Sequence, residues 1–189
     1  MKKLWAKIKY SLTGKYDSMD LLDGTFEDNL PDRLTISAGM LKSEDLAYEA
    51  GDLVAKLYQE ENDSEFSLAQ KLRALPRHWG TLEALMYYDA MVNNGGHKQY
   101  FENSEGAYLD LVEHGLDLYG STYHQNIFKR ALYRYNPERF PEAKELDAQS
   151  KPDSHDLYDE LDCLYFDANP KLPEMVDHYI RNNLKLYRG

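Results

Sequence analysis

Apolar residues recur at spacings of three and four positions along most of this chain, and this period limits its fold more than any other feature. After Ser43, for example, Leu46, Ala50, Leu53 and Leu57 follow one another at helical spacing. Such a repeat places the apolar side chains along one face of an α-helix. A half-buried β-strand needs an alternation of period two, and no segment carries a convincing one. The sequence therefore predicts an all-α protein with a single multi-helix domain.

Pro, Gly and Asn divide the chain into helices of ordinary length. The helices are predicted near residues 43–62, 64–75, 79–92, 97–103, 107–119, 122–135, 138–146, 155–166 and 172–184. Residues 1–42 lack a sustained period, and we interpret them as an irregular basic N-terminal arm with a short strand-like stretch, "RLTIS". The predicted organisation is thus an arm at 1–42 and a helical domain at 43–189.

The run "MVNNGGHKQYFENSEG", from Met91 to Gly106, breaks the helical pattern twice. Asn and Gly adopt left-handed backbone more readily than other residues, so a helix should stop here, restart for one or two turns and stop again. We interpret the run as a corner in which asparagines bond to helix ends and aromatic rings fill the wedge. The alternative is a small niche that binds a polar ligand through Asn94, His97 and Gln99. The residues assigned to the corner are Asn93, Asn94, Gly95, Gly96, Gln99, Tyr100, Phe101, Asn103 and Gly106.

The same run resembles a known family. Its elements "NNGG", "QYF" and "N-x-x-G" are similar to the signature of the bacterial DNA-mimic protein 19-like domain, and the resemblance covers roughly residues 78–184. It continues through Gly115, Gly120, "RALYRY", "LYDELDCLYF" and "HYIRNN", whereas His97 departs from the aromatic residue that is usual there. The resemblance implies an α-helical domain with no established cofactor or catalytic residue. For the family's namesake it implies an acidic dimer that imitates DNA phosphates and occupies the DNA-binding surface of a transcription factor.

The charge of the chain is strongly uneven. The net charge is −11, yet residues 1–16 hold five lysines and no acid, so the remainder has 17 basic and 33 acidic residues, a net charge of −16. A body of this sign repels nucleic acid and anionic membranes and attracts basic partners. We therefore expect a basic protein as partner and no direct binding of nucleic acid. The alternative is that the charge serves solubility alone.

Two acidic clusters lie on predicted helices. Carboxylates three or four positions apart share one helix face, and a row of them can imitate a phosphate track. The residues assigned to partner binding are Asp156, Asp159, Glu160 and Asp162 on one helix and Glu44, Asp45, Glu49 and Asp52 on another. We expect the first cluster to face solvent, with Tyr158 or Tyr165 exposed beside it as contact area for a protein. A solvated helix face without a partner is the alternative.

The sequence carries little that indicates catalysis. No pair of histidines has the HExxH arrangement, and Cys163 is the chain's lone cysteine, so we predict no metal, no cofactor and no disulfide. Asp89 or Glu83 could be a buried carboxylate, but no nucleophile or phosphate-binding loop accompanies either one. A lone cysteine and the absence of a long apolar run indicate a cytoplasmic protein without stable membrane insertion.

The basic arm is amphipathic. Leu4, Trp5, Ile8 and Leu12 form an apolar stripe among the lysines. Such a segment docks on the acidic body, frays, or lies on an anionic membrane, and the first two are favoured.

The combined prediction is a non-catalytic acidic protein that binds another protein, as a DNA mimic that occupies the basic surface of a regulator. Two alternatives stay open: an immunity- or antitoxin-like module that binds through Tyr and aliphatic contacts, and a small-ligand binder or enzyme centred on the Asn93–Gln99 corner.

Overall fold

The computed structural model describes residues 34–59, 68–148 and 157–188, and within them it contains eight α-helices and no β-strand. The all-α prediction is therefore confirmed. The helices are α1 (Leu46–Gln59), α2 (Leu68–Arg73), α3 (Arg77–Ser104), α4 (Leu109–Leu118), α5 (Thr122–Tyr135), α6 (Lys144–Asp147), α7 (Asp159–Phe166) and α8 (Leu172–Asn182). Short 3₁₀ turns occupy Met40–Lys42, Pro141–Ala143 and Leu184–Leu186.

Helix starts follow the capping chemistry of the sequence. Ser43 Oγ accepts the Asp45 N–H at 3.1 Å just before α1, and Ser121 Oγ accepts the His124 N–H at 3.3 Å at the start of α5. At α8 the Glu174 carboxylate accepts the main-chain N–H of residue 171 at 2.9 Å. Each bond satisfies one of the amides that a first helical turn leaves without a partner, and a cap of this kind contributes about 1 kcal/mol.

Helix α3 is the centre of the fold. It packs against α1, α2, α4, α7 and α8, so nearly every other element rests on it. Its inner side chains Trp79, Leu82, Leu85, Tyr88 and Val92 are fully buried. Burial of such a side chain contributes about 1.5–3 kcal/mol, and these residues therefore anchor the core.

The two ends of the described chain meet beside α3. The Ile36 N–H donates to the Tyr187 carbonyl at 2.9 Å, and the Tyr187 ring packs edge-on against Trp79 with centroids 5.1 Å apart. Arg181 on α8 donates to the main-chain carbonyls of Leu41 and Ser43. These contacts fix the segment before α1 against the last helix.

Several local predictions need correction. The described part of "RLTIS" forms no strand. Within the described chain it makes one backbone hydrogen bond to another segment, to Tyr187, and a β-strand needs a ladder of such bonds. The helix expected at 138–146 is instead the 3₁₀ turn Pro141–Ala143 followed by the short α6. The helix expected from residue 155 begins at Asp159 in the described chain, and its expected cap Ser154 lies outside the described residues, as does the arm up to residue 33.

Within the described ranges, no helix combines the length and apolar character that crossing a membrane requires.

Candidate functional site

The corner predicted from the sequence is a sharp bend inside α3. The helix keeps its geometry on both sides of Gly95 and Gly96, and these two residues alone leave it, Gly96 with φ 76° and ψ 179°. A positive φ strains any residue with a Cβ, and a Cβ on Gly96 would also run into the Asp162 carboxylate. After the bend the helix restarts at His97 and continues to Ser104, which is two turns.

Asp162 from α7 binds the helix where it restarts. One of its carboxylate oxygens accepts the main-chain N–H of His97 at 2.9 Å and also the Nδ1–H of the same residue. The other ring nitrogen, Nε2, accepts the hydroxyl of Tyr88 at 2.9 Å. This arrangement satisfies an amide at a helix start, where the helix dipole also favours negative charge. The Asp162 side chain is 18% exposed, so it differs from the expectation that it faces solvent.

His97 is completely buried in this arrangement. Burial lowers its pKa, and the hydrogen bond and charge of Asp162 partly oppose that shift. The Tyr158 and Tyr165 rings lie beside the imidazole, at 6.2 and 5.9 Å between ring centroids. Both tyrosines are buried, and the expectation that one of them is exposed beside the acids is wrong. The reason is that Tyr158, just before α7, and Tyr165, on α7, both pack against His97 of α3.

A second carboxyl group, fully buried, lies nearly two turns before the bend. Asp89, 3% exposed, accepts the hydroxyl of Tyr48 from α1 and that of Tyr165 from α7, the latter at 2.5 Å. The side-chain amide of Asn93 donates to a carboxyl oxygen of Asp89 at 3.0 Å and to the main-chain carbonyl of Asp89 at 2.8 Å. Burial, followed by the bond to Asp89, raises the pKa of Tyr48 above its ordinary value. One carboxyl group thus joins three helices through satisfied hydrogen bonds.

The remaining corner residues close the wedge. Tyr100 and Phe101 are buried, and Phe101 stacks on Tyr135 with centroids 4.4 Å apart. The amides of Gln99 and Asn103 approach the Met91 sulfur, at 3.6 and 3.4 Å, instead of bonding across the corner. Asn94 is exposed, and Gly106 has φ 76° just past the end of α3. Of the three residues that the niche hypothesis assigns to a ligand, His97 and Gln99 contact the chain's own side chains and Asn94 is exposed.

The acidic cluster of α7 is largely engaged within the molecule. Glu160 forms ion pairs with Arg130 at 2.7 Å and with Arg134 at 3.2 Å. Both arginines also form ion pairs with Asp147 of α6. Among the assigned residues of this cluster in the described chain, Asp159 is the exposed one. Asp156 lies outside the described residues.

The acidic cluster of α1 lies differently. Glu44, Asp45 and Asp52 are exposed and Glu49 is half-buried. Spacings of four and three residues place Asp45, Glu49 and Asp52 on one face. None of the ion pairs between described residues includes these four side chains. By contrast, acids elsewhere pair with arginine: Asp110 with Arg73, Asp117 with Arg77, and Asp177 with Arg181. We call Glu44, Asp45, Glu49 and Asp52 the α1 acidic face.

Glu83 of α3 lies beneath this face. Burial and then the charge of Asp52 raise its pKa to about 8. Gly51 gives the carboxyl group room, since a Cβ at that position would lie 3.1 Å from Glu83 Oε2. The shift therefore comes mainly from burial of the Glu83 carboxyl group, with a smaller contribution from the charge of Asp52.

In the described part of the chain, no three His, Cys, Asp or Glu side chains are placed to hold a metal ion. His124 instead contacts Ser121 at the start of α5. Burial and then the charge of Lys171 lower its pKa to about 4.

Sequence reasoning did not identify the bond between Asp162 and His97 or the pairing of Glu160. A signal was present for the second, because Arg130 and Arg134 are four residues apart and so share a helix face that can bind carboxylates. For the bond between Asp162 and His97, the histidine at a position where the family usually has an aromatic residue was unusual. Nothing in the sequence indicated which residue it contacts.

Comparison with known proteins gives a family. The model of the DMP19-like protein family matches residues 73–183, which include the corner, Asp162 and both arginines that bind Glu160. No curated protein and no solved structure matches the chain.

The bend predicts a specific sensitivity at Gly96. Gly96→Ala should lower the free energy of unfolding by about 2–4 kcal/mol, because it adds backbone strain and displaces the Asp162 carboxylate. Gly120→Ala is the matched control: Gly120 has the same φ of 76° but no atom within 4 Å of an added Cβ, so strain alone should cost about 1–2 kcal/mol. Urea unfolding followed by circular dichroism measures both. Equal losses in the two variants would contradict the role given to Asp162.

Glu83 predicts a pH-dependent stability. Its folded pKa of about 8 exceeds its ordinary value of 4.5, so its contribution to stability is present below that ordinary value and is lost as pH rises through about 8. Glu83→Gln does not titrate, and it should gain on the order of 1–3 kcal/mol over the wild type between pH 5 and pH 9. Urea unfolding at both pH values measures this, with the exposed Glu102→Gln as control. A difference that does not change with pH would rule out the shift.

Proposed function

Because the chain belongs to the DMP19-like protein family, we propose that it is a non-catalytic acidic protein that occupies the basic DNA-binding surface of a regulator. The proposal includes a cytoplasmic location and no cofactor. It assigns the contact to the α1 acidic face and gives the Asn93–Gly106 corner a structural role. The match to the family supports the class of function, and the charges of this chain support the choice of face.

The observation that carries the proposal is the α1 acidic face itself. Glu44 and Asp45 lie in the turn just before α1, and Glu49 and Asp52 lie on it. At the helical rise of about 1.5 Å per residue, residues 44–52 span roughly 12 Å. The average is roughly one negative charge per 3–4 Å, close to the one charge per 3.4 Å of a single DNA strand. A basic groove that binds a phosphate backbone would meet a similar density of charge on this face.

The charges of the α1 acidic face are also available. A carboxylate that is paired with arginine inside the protein must lose that partner before it can bind another, as Glu160 would have to leave Arg130 and Arg134. Such a partly buried, charge-assisted bond is worth more than an exposed ion pair. The side chains of the α1 acidic face carry no such cost, and their helix is fixed by buried Leu46, Ala50 and Val54.

Rigidity adds to the effect. Like charges repel, and folding has already brought these carboxyl groups together on α1 and the turn before it, so binding does not include the cost of assembling them. A partner rich in Arg and Lys would relieve this repulsion, and long-range attraction would speed the encounter.

An alternative interaction module is supported by exposed apolar side chains. Leu157 is 57% exposed and Tyr123 is 48% exposed. Single exposed apolar residues are common on soluble proteins, so they indicate less than the ordered acidic row does.

The test uses two variants with the same change of charge. One replaces the α1 acidic face (Glu44→Gln, Asp45→Asn, Glu49→Gln, Asp52→Asn), and the control replaces four exposed acids elsewhere (Glu102→Gln, Glu105→Gln, Glu138→Gln, Glu142→Gln). Proteins captured from the source cell by the wild-type chain at low salt are purified, and each is titrated with wild type and variants. We expect a DNA-binding protein whose affinity falls about 10–100-fold with the first variant and less than about threefold with the control.

Two further readouts complete the test. The wild-type chain should displace the regulator from a DNA duplex, and its affinity should fall steeply as salt rises, since screening weakens contacts between exposed charges. Binding that barely responds to salt, or that falls equally with both variants, would exclude the α1 acidic face. Loss of binding with Tyr123→Ala and Leu157→Ala instead would favour the alternative module.

A further inference from the structure

The α1 acidic face contains an aromatic ring as well as carboxyl groups. Spacings of three and four residues place Tyr48 on the same side of α1 as Asp45 and Asp52, and Glu49 follows it directly. Burial, the bond to Asp89 and then the charge of Asp45 raise the pKa of Tyr48, so Asp45 lies close to the Tyr48 hydroxyl. The combination of tyrosine and acids that was expected to face solvent on α7 therefore occurs on α1 instead.

The Tyr48 side chain is held in place without being fully covered. It is partly buried, and one side of it packs against the hydrophobic core. Its hydroxyl donates to the carboxyl group of Asp89, which is 3% exposed. The hydroxyl end therefore points inward, and the ring lies nearer to the surface. A ring that is fixed by its helix at one end and by a hydrogen bond at the other loses little freedom when another group packs on it.

A ring beside carboxylates distinguishes arginine from lysine. The face of an aromatic ring is negative and attracts a cation that lies over it. A guanidinium group is planar, so it can stack on a ring and bind a carboxylate through two parallel N–H bonds, whereas the ammonium group of lysine is a strongly hydrated point charge. Donation of the Tyr48 hydroxyl proton to Asp89 also adds electron density to the ring. Tyr48, Asp45 and Asp52 therefore offer a combination of contacts that suits arginine better than lysine.

Positive charges limit the length of this surface. Lys42 is exposed two residues before Glu44, and Lys56 is exposed four residues after Asp52. Arg181 bonds to main-chain carbonyls just before α1 and adds to the positive charge at that end. These groups repel cations, so the positions that favour a cation lie between them, within roughly 12 Å at the helical rise of about 1.5 Å per residue. This length suits one short segment that carries arginine better than it suits a long basic tail.

We propose that the α1 acidic face selects arginine over lysine, with a guanidinium group of the partner stacked on Tyr48 and bonded to Asp45 or Asp52. The proposal rests on the function proposed above, and it names the side chain that the regulator contributes. In a DNA-binding surface, arginine binds phosphate oxygens through pairs of N–H bonds. A carboxylate beside Tyr48 takes the place of that phosphate, and the ring adds a contact that phosphate does not offer.

Two synthetic peptides test this selectivity in the full chain. They have equal length and equal charge, and their basic positions hold arginine in one peptide and lysine in the other. Each peptide is titrated at low salt and followed by isothermal titration calorimetry. We expect the wild-type chain to bind the arginine peptide about five- to tenfold more tightly than the lysine peptide. The variant with the neutral α1 acidic face should lose most of its affinity for both peptides, because the carboxylates supply the attraction that the two have in common.

Substitutions of Tyr48 separate the ring from its hydrogen bond. Tyr48→Leu removes the ring and should weaken the arginine peptide about three- to fivefold and the lysine peptide less than about twofold. Tyr48→Phe loses the same bond to Asp89 but keeps the ring, so it should retain most of the preference for arginine. Tyr123→Leu is the matched control, because Tyr123 is an exposed tyrosine outside the α1 acidic face.

Circular dichroism shows whether each variant is folded. If Tyr48→Leu does not fold, nuclear Overhauser contacts between the arginine side-chain protons of the peptide and the Tyr48 ring of the wild-type chain take its place. We expect such contacts with the arginine peptide, and their absence would overturn the proposal.

Three results distinguish failure of this proposal from failure of the proposed function. Equal binding of the two peptides by the wild type, lost when the α1 acidic face is neutral, would overturn the role of Tyr48 and leave the proposed function in place. A preference for arginine that persists in Tyr48→Leu would also overturn that role, since the carboxylates alone would then make the distinction. Peptide binding that survives neutralisation would exclude the α1 acidic face itself, and both proposals with it.

Discussion

The bend of α3 depends on a carboxylate that comes from another helix. At His97 the helix starts again, and its first amide has no partner along the chain, so it must be satisfied from elsewhere. Asp162 supplies that bond and a second one to the imidazole, and Gly96 leaves the space in which the carboxylate lies. Through this contact α7 is held against the centre of the fold. The corner and the last part of the chain are thus one structural unit, which agrees with a family match that includes both.

The acidic residues on and around α3 and α7 differ from those of the α1 acidic face in whether they have partners inside the protein. Asp89, Asp162 and Glu160 lie on or against α3 and α7 and bind hydroxyl, imidazole or guanidinium groups. These acids hold helices together, and their charge is used within the molecule. The α1 acidic face has no such role among the described residues, so its charge is directed to solvent. The net charge of a chain therefore says less about its binding surface than the list of which acids have internal partners.

The buried polar groups around Tyr88 also explain the large number of tyrosines in part. Tyr48 and Tyr165 each contribute a ring to the core and a hydroxyl to Asp89, and Tyr88 does the same for His97. An apolar ring with a polar end suits a core that contains carboxyl groups, because it fills space and satisfies an acceptor at once. These tyrosines belong to the helix contacts of the interior, and the exposed Tyr123 is a different case.

The sequence by itself determined the helical class, the starts of α5 and α8 and the break at Gly95 and Gly96, because periodicity, caps and backbone freedom are properties of neighbouring residues. It also determined the family, through a signature of residues close together in the chain. It did not determine where Asp162, Glu160 and Tyr165 point. Their helix has acids and rings on several sides, and the period alone does not show which side meets α3. Only the tertiary structure decided that, because the partners His97, Arg130 and Asp89 are 65, 30 and 76 residues away. The tertiary structure is also the reason why we propose the α1 acidic face, and not the acidic cluster of α7, as the binding surface. The α7 acids pair with arginines that are distant in the sequence, and no local pattern predicts such pairs.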